Sequence, residues 1–306
     1  VKVAVLAGGL GGSRLALALS ETIDPSELTI VGNVGDDVEV LGLHVSPDLD
    51  TILYTLTGRL DEPKGWGRAD ETWHALEAAG ELGGETWFRL GDRDLGLHLV
   101  RSALLRRGEP LSAVTALVSA ALGLRPALLP ASDDRLRTWV ATPAGEFPFQ
   151  EWFVARQHRD EVDGVRFEGG DEARAAPGVV EALEAADLIA LAPSNPFVSI
   201  APILAVAAIR EAIERRRVPA VAVSPLIGGK TVRGPADRML ARLAGGTGPE
   251  HVTACYKGLI DALVIDEADA DEDAGIRTIV TRTLMSDAEG RRRVAEAVLE
   301  TVGALR

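Results

Sequence analysis

At 306 residues the chain is long enough for one large α/β domain or two smaller ones around a substantial core. Its formal charge of −14 argues against nonspecific binding to nucleic acid or to an anionic membrane, since both need basic surface. The single cysteine, Cys255, leaves no internal disulfide framework and no cysteine-based zinc site, and it suits a reducing compartment. No apolar run has the length to span a bilayer, and the first residues already read as a core strand. The expectation is a soluble, cytoplasmic protein.

The chain opens with Val3-Ala4-Val5-Leu6-Ala7, a β-branched run that feeds Gly8-Gly9-Leu10-Gly11-Gly12-Ser13-Arg14. Leu15, Ala18 and Leu19 follow at helical spacing. Strand, glycine turn and helix is how an open α/β sheet offers backbone N–H groups to an anion. The dinucleotide pattern G-x-G-x-x-G, started at Gly9, needs glycine where Arg14 stands, and a Walker A loop needs a Lys that Ser13-Arg14 does not supply. The loop therefore points to phosphate binding outside the ordinary NAD enzymes and P-loop NTPases, against the simpler alternative of a tight turn without a ligand.

A second strand at 28–31 ends in Gly32-Asn33-Val34-Gly35-Asp36-Asp37, completing a βαβ unit whose strand ends share one edge. Ser46-Pro47-Asp48-Leu49-Asp50 then opens a helix carrying Ile52, Leu53 and Leu56. One of Asp48 and Asp50 suits an N-cap. Asp36, Asp37, Asp48 and Asp50 nevertheless make four aspartates in fifteen residues without an obvious Lys or Arg neighbour, a crowding that suits a cation or a general base.

Three of the five tryptophans, Trp66, Trp73 and Trp87, fall between 65 and 91, as a stacking surface or a small core. Leu90-Gly91-Asp92-Arg93-Asp94 precedes a helix with Leu97, Val100, Leu104 and Leu105, for which Asp94 reads as the cap and His98 as a structural residue. A helix at 111–122 and a strand at 127–130 lead to a hairpin of 138–142 with 147–154, and the polar stretch 158–178 reads as a loose excursion. The α/β pattern resumes with helices at 179–186 and 202–216 and strands at 187–191, 218–223 and 263–265. Two of these strands end in Pro-bracketed turns, Ala192-Pro193-Ser194-Asn195-Pro196 and Ser224-Pro225-Leu226-Ile227-Gly228-Gly229-Lys230. The acidic run 266–273 reads as a solvated loop, and a helix at 287–303 closes the chain. The fold class is Rossmann-like: one doubly wound, mostly parallel α/β domain over 1–306, with 59–178 as a helical and β-hairpin insertion.

Eight motifs occur in order: Ala7-Gly8-Gly9-Leu10-Gly11-Gly12, Asn33-Val34-Gly35-Asp36-Asp37, Ser46-Pro47-Asp48-Leu49-Asp50-Thr51, Leu90-Gly91-Asp92-Arg93-Asp94, Leu129-Pro130-Ala131-Ser132-Asp133-Asp134, Phe149-Gln150-Glu151-Trp152, and the two Pro-bracketed turns. Together they resemble the transferases of coenzyme F420 biosynthesis, the 2-phospho-L-lactate and phosphoenolpyruvate transferases, from the first strand to the last helix. The resemblance implies that the deazaflavin Fo attacks a guanosine diphosphate-linked three-carbon acid, with Mg²⁺ as cofactor and GMP as leaving group. It implies that Gly8, Gly9, Gly11, Gly12, Asn33, Ser194, Asn195, Gly228, Gly229 and Lys230 hold the nucleotide. Asp36, Asp37 and Asp50 would then bind the metal, and Asp50 and Asp48 would act in catalysis. Asp50, Arg89, Asp92, Arg93 and Trp66 would face Fo. Relatives imply a homodimer. The competing resemblance is to the YvcK-type nucleotide-sugar-binding regulators, against which the Pro-Asp-Leu-Asp and Gly-Asp-Arg-Asp motifs stand.

Overall fold

The structure, a computed structural model, describes residues 1–304. Seven strands form one parallel sheet: β1 (Val3–Ala7), β2 (Leu28–Gly32), β3 (Ala127–Pro130), β4 (Leu188–Leu191), β5 (Ala220–Val223), β6 (Ala262–Asp266) and β7 (Arg277–Thr281). Their spatial order is β3-β2-β1-β4-β5-β6-β7. Every residue of β1, β4, β5 and β6 is buried, as expected of strands covered on both faces and hence apolar throughout. The order reverses between β1 and β4, which pair in register from Val3 with Leu188 to Leu6 with Leu191. A crevice opens beyond the carboxyl ends of strands at such a reversal.

Five helices matter for that crevice: α1 (Gly9–Thr22), α2 (Pro47–Leu56), α3 (His74–Glu81), α4 (Asp92–Leu105) and α5 (Leu111–Leu122). Helix α1 lies between α2 and the closing helix Ala288–Ala304. Leu15, Ala16, Ala18 and Leu19 of α1 face the main core at zero exposure.

The stretch 59–178 is not one insertion, because its residues Ala127–Pro130 are the edge strand of the main sheet, paired with β2. The rest of it differs from the sequence expectation in two further ways. The return strand of the hairpin is only Gly145–Pro148, and Glu151–Ala155 is a π-helical turn. Phe149 and Trp152, three residues apart, both enter a small core with Val140, Val162, Val198 and Met239, whereas a strand would send them to opposite faces. Residues Gly164–Glu168, inside the stretch read as a loose excursion, form a third antiparallel strand against Arg137–Thr142. There the half-buried Val165 and Phe167 alternate with the exposed Arg166 and Glu168.

The helix expected at 202–216 is broken. A π-helical turn, Pro196–Ile200, leads into Ala201–Ala205, and the chain then restarts at Ala207–Glu214 after a bend of 93°. No single helix among the described residues is long and apolar enough to cross a membrane.

Candidate active site

The glycine loop sits at the strand reversal, and each glycine has its own packing reason. Gly9 adopts φ +64°, a left-handed conformation that glycine takes without strain. A Cβ at Gly8 would collide with the Asp48 carboxylate, and one at Gly11 would collide with the carbonyl of Pro193. At Gly12 it would come within 2.8 Å of Ser194 Oγ. The loop is therefore wedged between the turn after β4 and the start of α2. Ser194 Oγ locks that wedge by donating to the Gly8 carbonyl at 2.7 Å. Arg14, which stands where the dinucleotide pattern needs glycine, ties α1 outward to Glu62 and to the Met285 carbonyl.

Neither Asp48 nor Asp50 is the N-cap of α2. Ser46 holds that position, and both aspartates lie in the first turn, where the helix dipole favours negative charge. They point into different surroundings. Asp48 accepts from the Gly9 amide at 2.6 Å and from Asn33 Nδ2 at 2.9 Å. The same Asn33 amide donates to Asp36 at 2.6 Å, so one fully buried side chain bridges two buried carboxylates. Burial, then the neighbouring acids, raise Asp36 well above the usual carboxylate range. Burial likewise lifts Asp48 to about 6, against the hydrogen bonds from Asn33 and Gly9. Asp37 is buried, receives a 2.8 Å hydrogen bond from Ser46 and lies 2.8 Å from His44 Nε2, while its Oδ1 has no partner. Gln150, from the turn before Glu151–Ala155, reaches the Asp36 carbonyl at 3.3 Å.

Asp50 is held instead by Arg101 of α4. Both guanidinium terminal nitrogens donate to it, Nη1 at 2.9 Å and Nη2 through a closer bond. Behind this fork stand His98, 3.9 Å from Asp50, and Asp94, 3.5 Å from His98 Nε2 without hydrogen-bond alignment. The Tyr54 hydroxyl donates to Asp94 at 2.5 Å. Burial opposes ionisation of Asp94, but His98 and the Tyr54 hydroxyl hold its carboxyl below the usual range. Burial also disfavours the Arg101 charge, and Asp50 outweighs it. Sequence reading gave Arg101 and Tyr54 no role and took Asp94 for a cap, whereas Gly91 holds that position. The available signal was spacing: Asp94, His98 and Arg101 recur at i, i+4 and i+7 on one face of α4, opposite Asp50 and Tyr54 at i and i+4 on α2.

The other expected site residues separate into groups. Trp66 and Trp73 lie with ring centroids 6.4 Å apart, and the Arg89 guanidinium stacks 4.3 Å from Trp73. Arg233 ties this loop down by donating to the carbonyls of Pro63 and Lys64, while Leu10 of the glycine loop packs beside Gly65. Asp92 caps α3, accepting from the amides of His74 and Ala75 and from Thr72, while Glu71 returns the favour at the amides of Arg93 and Asp94. The Arg93 guanidinium reaches the Ala69 carbonyl at 3.4 Å. Asn195 caps the π-helical turn after β4 through the Phe197 amide. The amides of Gly228 and Gly229 donate to Asp269, a buried member of the acidic run that had read as a solvated loop. Lys230 is exposed, with Asp237 3.9 Å away.

Among the described residues, no three Asp, Glu, His or Cys side chains already converge as a metal cage. The unpartnered Asp37 Oδ1 and the raised Asp36 and Asp48 still fit a hard cation of the Mg²⁺ kind. Mg²⁺ commonly uses one or two carboxylates and completes its shell with water and substrate phosphate.

The family model described as 2-phospho-L-lactate transferase CofD matches residues 3–299. A phosphoenolpyruvate transferase of Streptomyces griseus is 42% identical over 98% of both chains. Another from Kitasatospora aureofaciens is 43% identical over 98% of this chain and 97% of that protein. In fold, the chain is similar to the crystal structure of a UPF0052 family member from Bacillus halodurans, with a TM-score of 0.64 at 19% identity over 97% of this chain and 98% of the other. With the strand reversal, the glycine wedge and the acidic crevice all inside the matched span, the chain belongs to the 2-phospho-L-lactate transferase family and is a transferase of that kind.

Proposed function

We propose that the protein serves coenzyme F420 biosynthesis by moving a phosphoenolpyruvyl, or 2-phospholactyl, group from a guanosine diphosphate donor to the deazaflavin Fo. The observation that carries this reading is the gathering of the buried Asp36, Asp37 and Asp48 beside the glycine loop, with Asp50 on the same helix turn, in a chain that matches phosphoenolpyruvate transferases over 98% of its length. The terminal ribityl hydroxyl of Fo attacks the phosphorus that bears the three-carbon acid. A phosphorus–oxygen bond to Fo forms, the bond to the GMP phosphate breaks, and Asp50 accepts the hydroxyl proton. The product is dehydro-F420-0 from an enolpyruvyl donor, or F420-0 from a lactyl donor.

Asp36, Asp37 and Asp48 are the residues that would hold Mg²⁺, while Asp50, gripped by Arg101, is left to the hydroxyl proton. The metal supplies charge neutralisation on the nonbridging phosphate oxygens. The first-turn amides of α1 face the donor diphosphate, and the turns at Ser194-Asn195 and Gly228-Gly229-Lys230 flank the nucleotide. Trp66 and Trp73, with the Arg89 guanidinium stacked on Trp73, offer the flat edge that a deazaflavin ring needs, and Asp92 and Arg93 would face Fo from the start of α4. The protein acts as a cytoplasmic homodimer in this reading.

The test is titration of Fo fluorescence with protein, followed by an assay of GMP release once the donor and Mg²⁺ are added. Quenching or a spectral shift, then release of one GMP per Fo consumed, is expected. Unchanged Fo fluorescence together with tight binding of a nucleotide sugar would favour a non-enzymatic regulator instead.

A further inference from the structure

Five ionisable side chains, Asp50, Tyr54, Asp94, His98 and Arg101, meet in the interior between α2 and α4, with Asp50 5% and Arg101 2% exposed. A buried ion pair is a poor way to stabilise a fold, because desolvating two charges offsets most of their attraction and an apolar pair of similar volume often does as well. The arrangement also leaves buried polar atoms without partners: Arg101 Nε and His98 Nε2. Its location suggests another use. Asp50 is two residues from Asp48, on the same first turn of α2 that meets the glycine loop.

A bidentate guanidinium fork fixes more than a charge. It holds both carboxylate oxygens in one plane, so the remaining lone pair on each oxygen points in a set direction. A lysine ammonium would supply the same charge from one point and leave the carboxylate free to turn. His98 adds to the constraint, with its Nδ1 3.5 Å from Arg101 Nη1 on one side and Asp94, itself held by Tyr54, on the other.

We propose that Arg101 is a positioning residue for the transfer reaction: its fork holds the Asp50 carboxylate in the orientation that receives the acceptor hydroxyl, and His98, Asp94 and Tyr54 fix the fork. The catalytic half of this statement rests on the reading under "Proposed function"; the orientational half does not.

Arg101→Lys separates orientation from charge, and two measurements are made on it. Steady-state kinetics with Fo and the guanosine donor should show kcat reduced about 100-fold, the scale of a roughly 1 Å misplacement, with the donor KM within about threefold of wild type. A crystal structure of the variant should show the Asp50 carboxylate turned out of its wild-type plane. A kcat within about threefold of wild type, or an Asp50 carboxylate unmoved in the variant, would overturn the proposal. If the wild-type protein transfers nothing to Fo, the functional reading fails, and the Asp50 orientation in the variant alone decides whether Arg101 positions it. Circular-dichroism melts accompany both proteins; if the lysine variant does not fold, Arg101→Gln, shorter and neutral, is read by the same two measurements.

Discussion

Asp48 and Asp50 share one turn of one helix and face opposite electrostatic worlds. Asp48 looks toward the strand reversal, where its neighbours are acids, an amide and a glycine N–H, and burial lifts its carboxyl to about 6. Asp50 looks toward α4, where Arg101 grips both of its oxygens. The first surroundings leave negative charge short of a partner, as a cation site does before it is filled. The second have already supplied the partner, and what they add is orientation. Two aspartates that look equivalent in sequence thus sit in unlike surroundings, and the proposed function gives them different tasks, metal binding for Asp48 and proton acceptance for Asp50.

The largest effect expected is at Asp50. Asp50→Asn removes the proton acceptor while keeping the shape, and turnover should fall on the order of 10³-fold; the melting transition stays cooperative but moves down, because the Arg101 charge is left buried without its partner. Near wild-type turnover in the presence of Mg²⁺ would remove Asp50 from the chemistry.

Asp48 sharpens the contrast through pH. Its folded-state value is raised from 3.8 to about 6, so the folded protein keeps a proton that the unfolded chain has already released. Stability from this group is therefore present below about pH 4 and is lost as pH rises toward about 6, by an amount on the order of 2–3 kcal/mol. In metal-free buffer, the difference in Tm between wild type and Asp48→Asn should shift by several degrees in favour of the variant between pH 4 and pH 7.5. Added Mg²⁺ should return stability to the wild type alone. A difference that stays flat over that range contradicts an uncompensated Asp48.

A smaller effect belongs to the wedge that carries Asp48. Gly11→Ala drives a methyl group into the Pro193 carbonyl and should cost about 1–3 kcal/mol of stability. Unchanged melting would mean that the turn after β4 yields easily. The smallest effect expected is at Lys230, whose exposed ion pair with Asp237 is worth less than about 1 kcal/mol. Lys230→Ala should leave Tm unchanged, and a rise in donor KM would place the lysine on the donor phosphates.

Six of the seven strands of the main sheet were legible because they are short apolar runs bounded by Gly, Pro and Asn, and because a parallel sheet buried on both faces leaves that mark in composition. The seventh, the edge strand Arg277–Thr281, was missed because its residues are exposed or only half-buried and it lacks a continuous apolar run. The acids of the crevice were legible because four aspartates within fifteen residues stand out. Their partners were not. Arg101 is 51 residues from Asp50, and only the packing of α4 against the start of α2 brings the two together. The glycines were visible, yet their immediate reasons, the Pro193 carbonyl and the Asp48 carboxylate, lie on other segments of the chain. The strand Gly164–Glu168 escaped notice because its outward residues, Arg166 and Glu168, make an exposed edge look like a polar loop. Asp269 escaped for a similar reason: one buried carboxylate that binds two glycine amides is hidden among solvated acids.

The most direct test of the central reading is mass spectrometry of the product formed from Fo, Mg²⁺ and each guanosine donor in turn, with wild-type protein and with Asp50→Asn. The expected result is Fo enlarged by one phosphoenolpyruvyl or phospholactyl group, with an equal amount of GMP, from the wild type and not from the variant. Unmodified Fo with both donors, from a protein that is folded and binds the nucleotide, would contradict it.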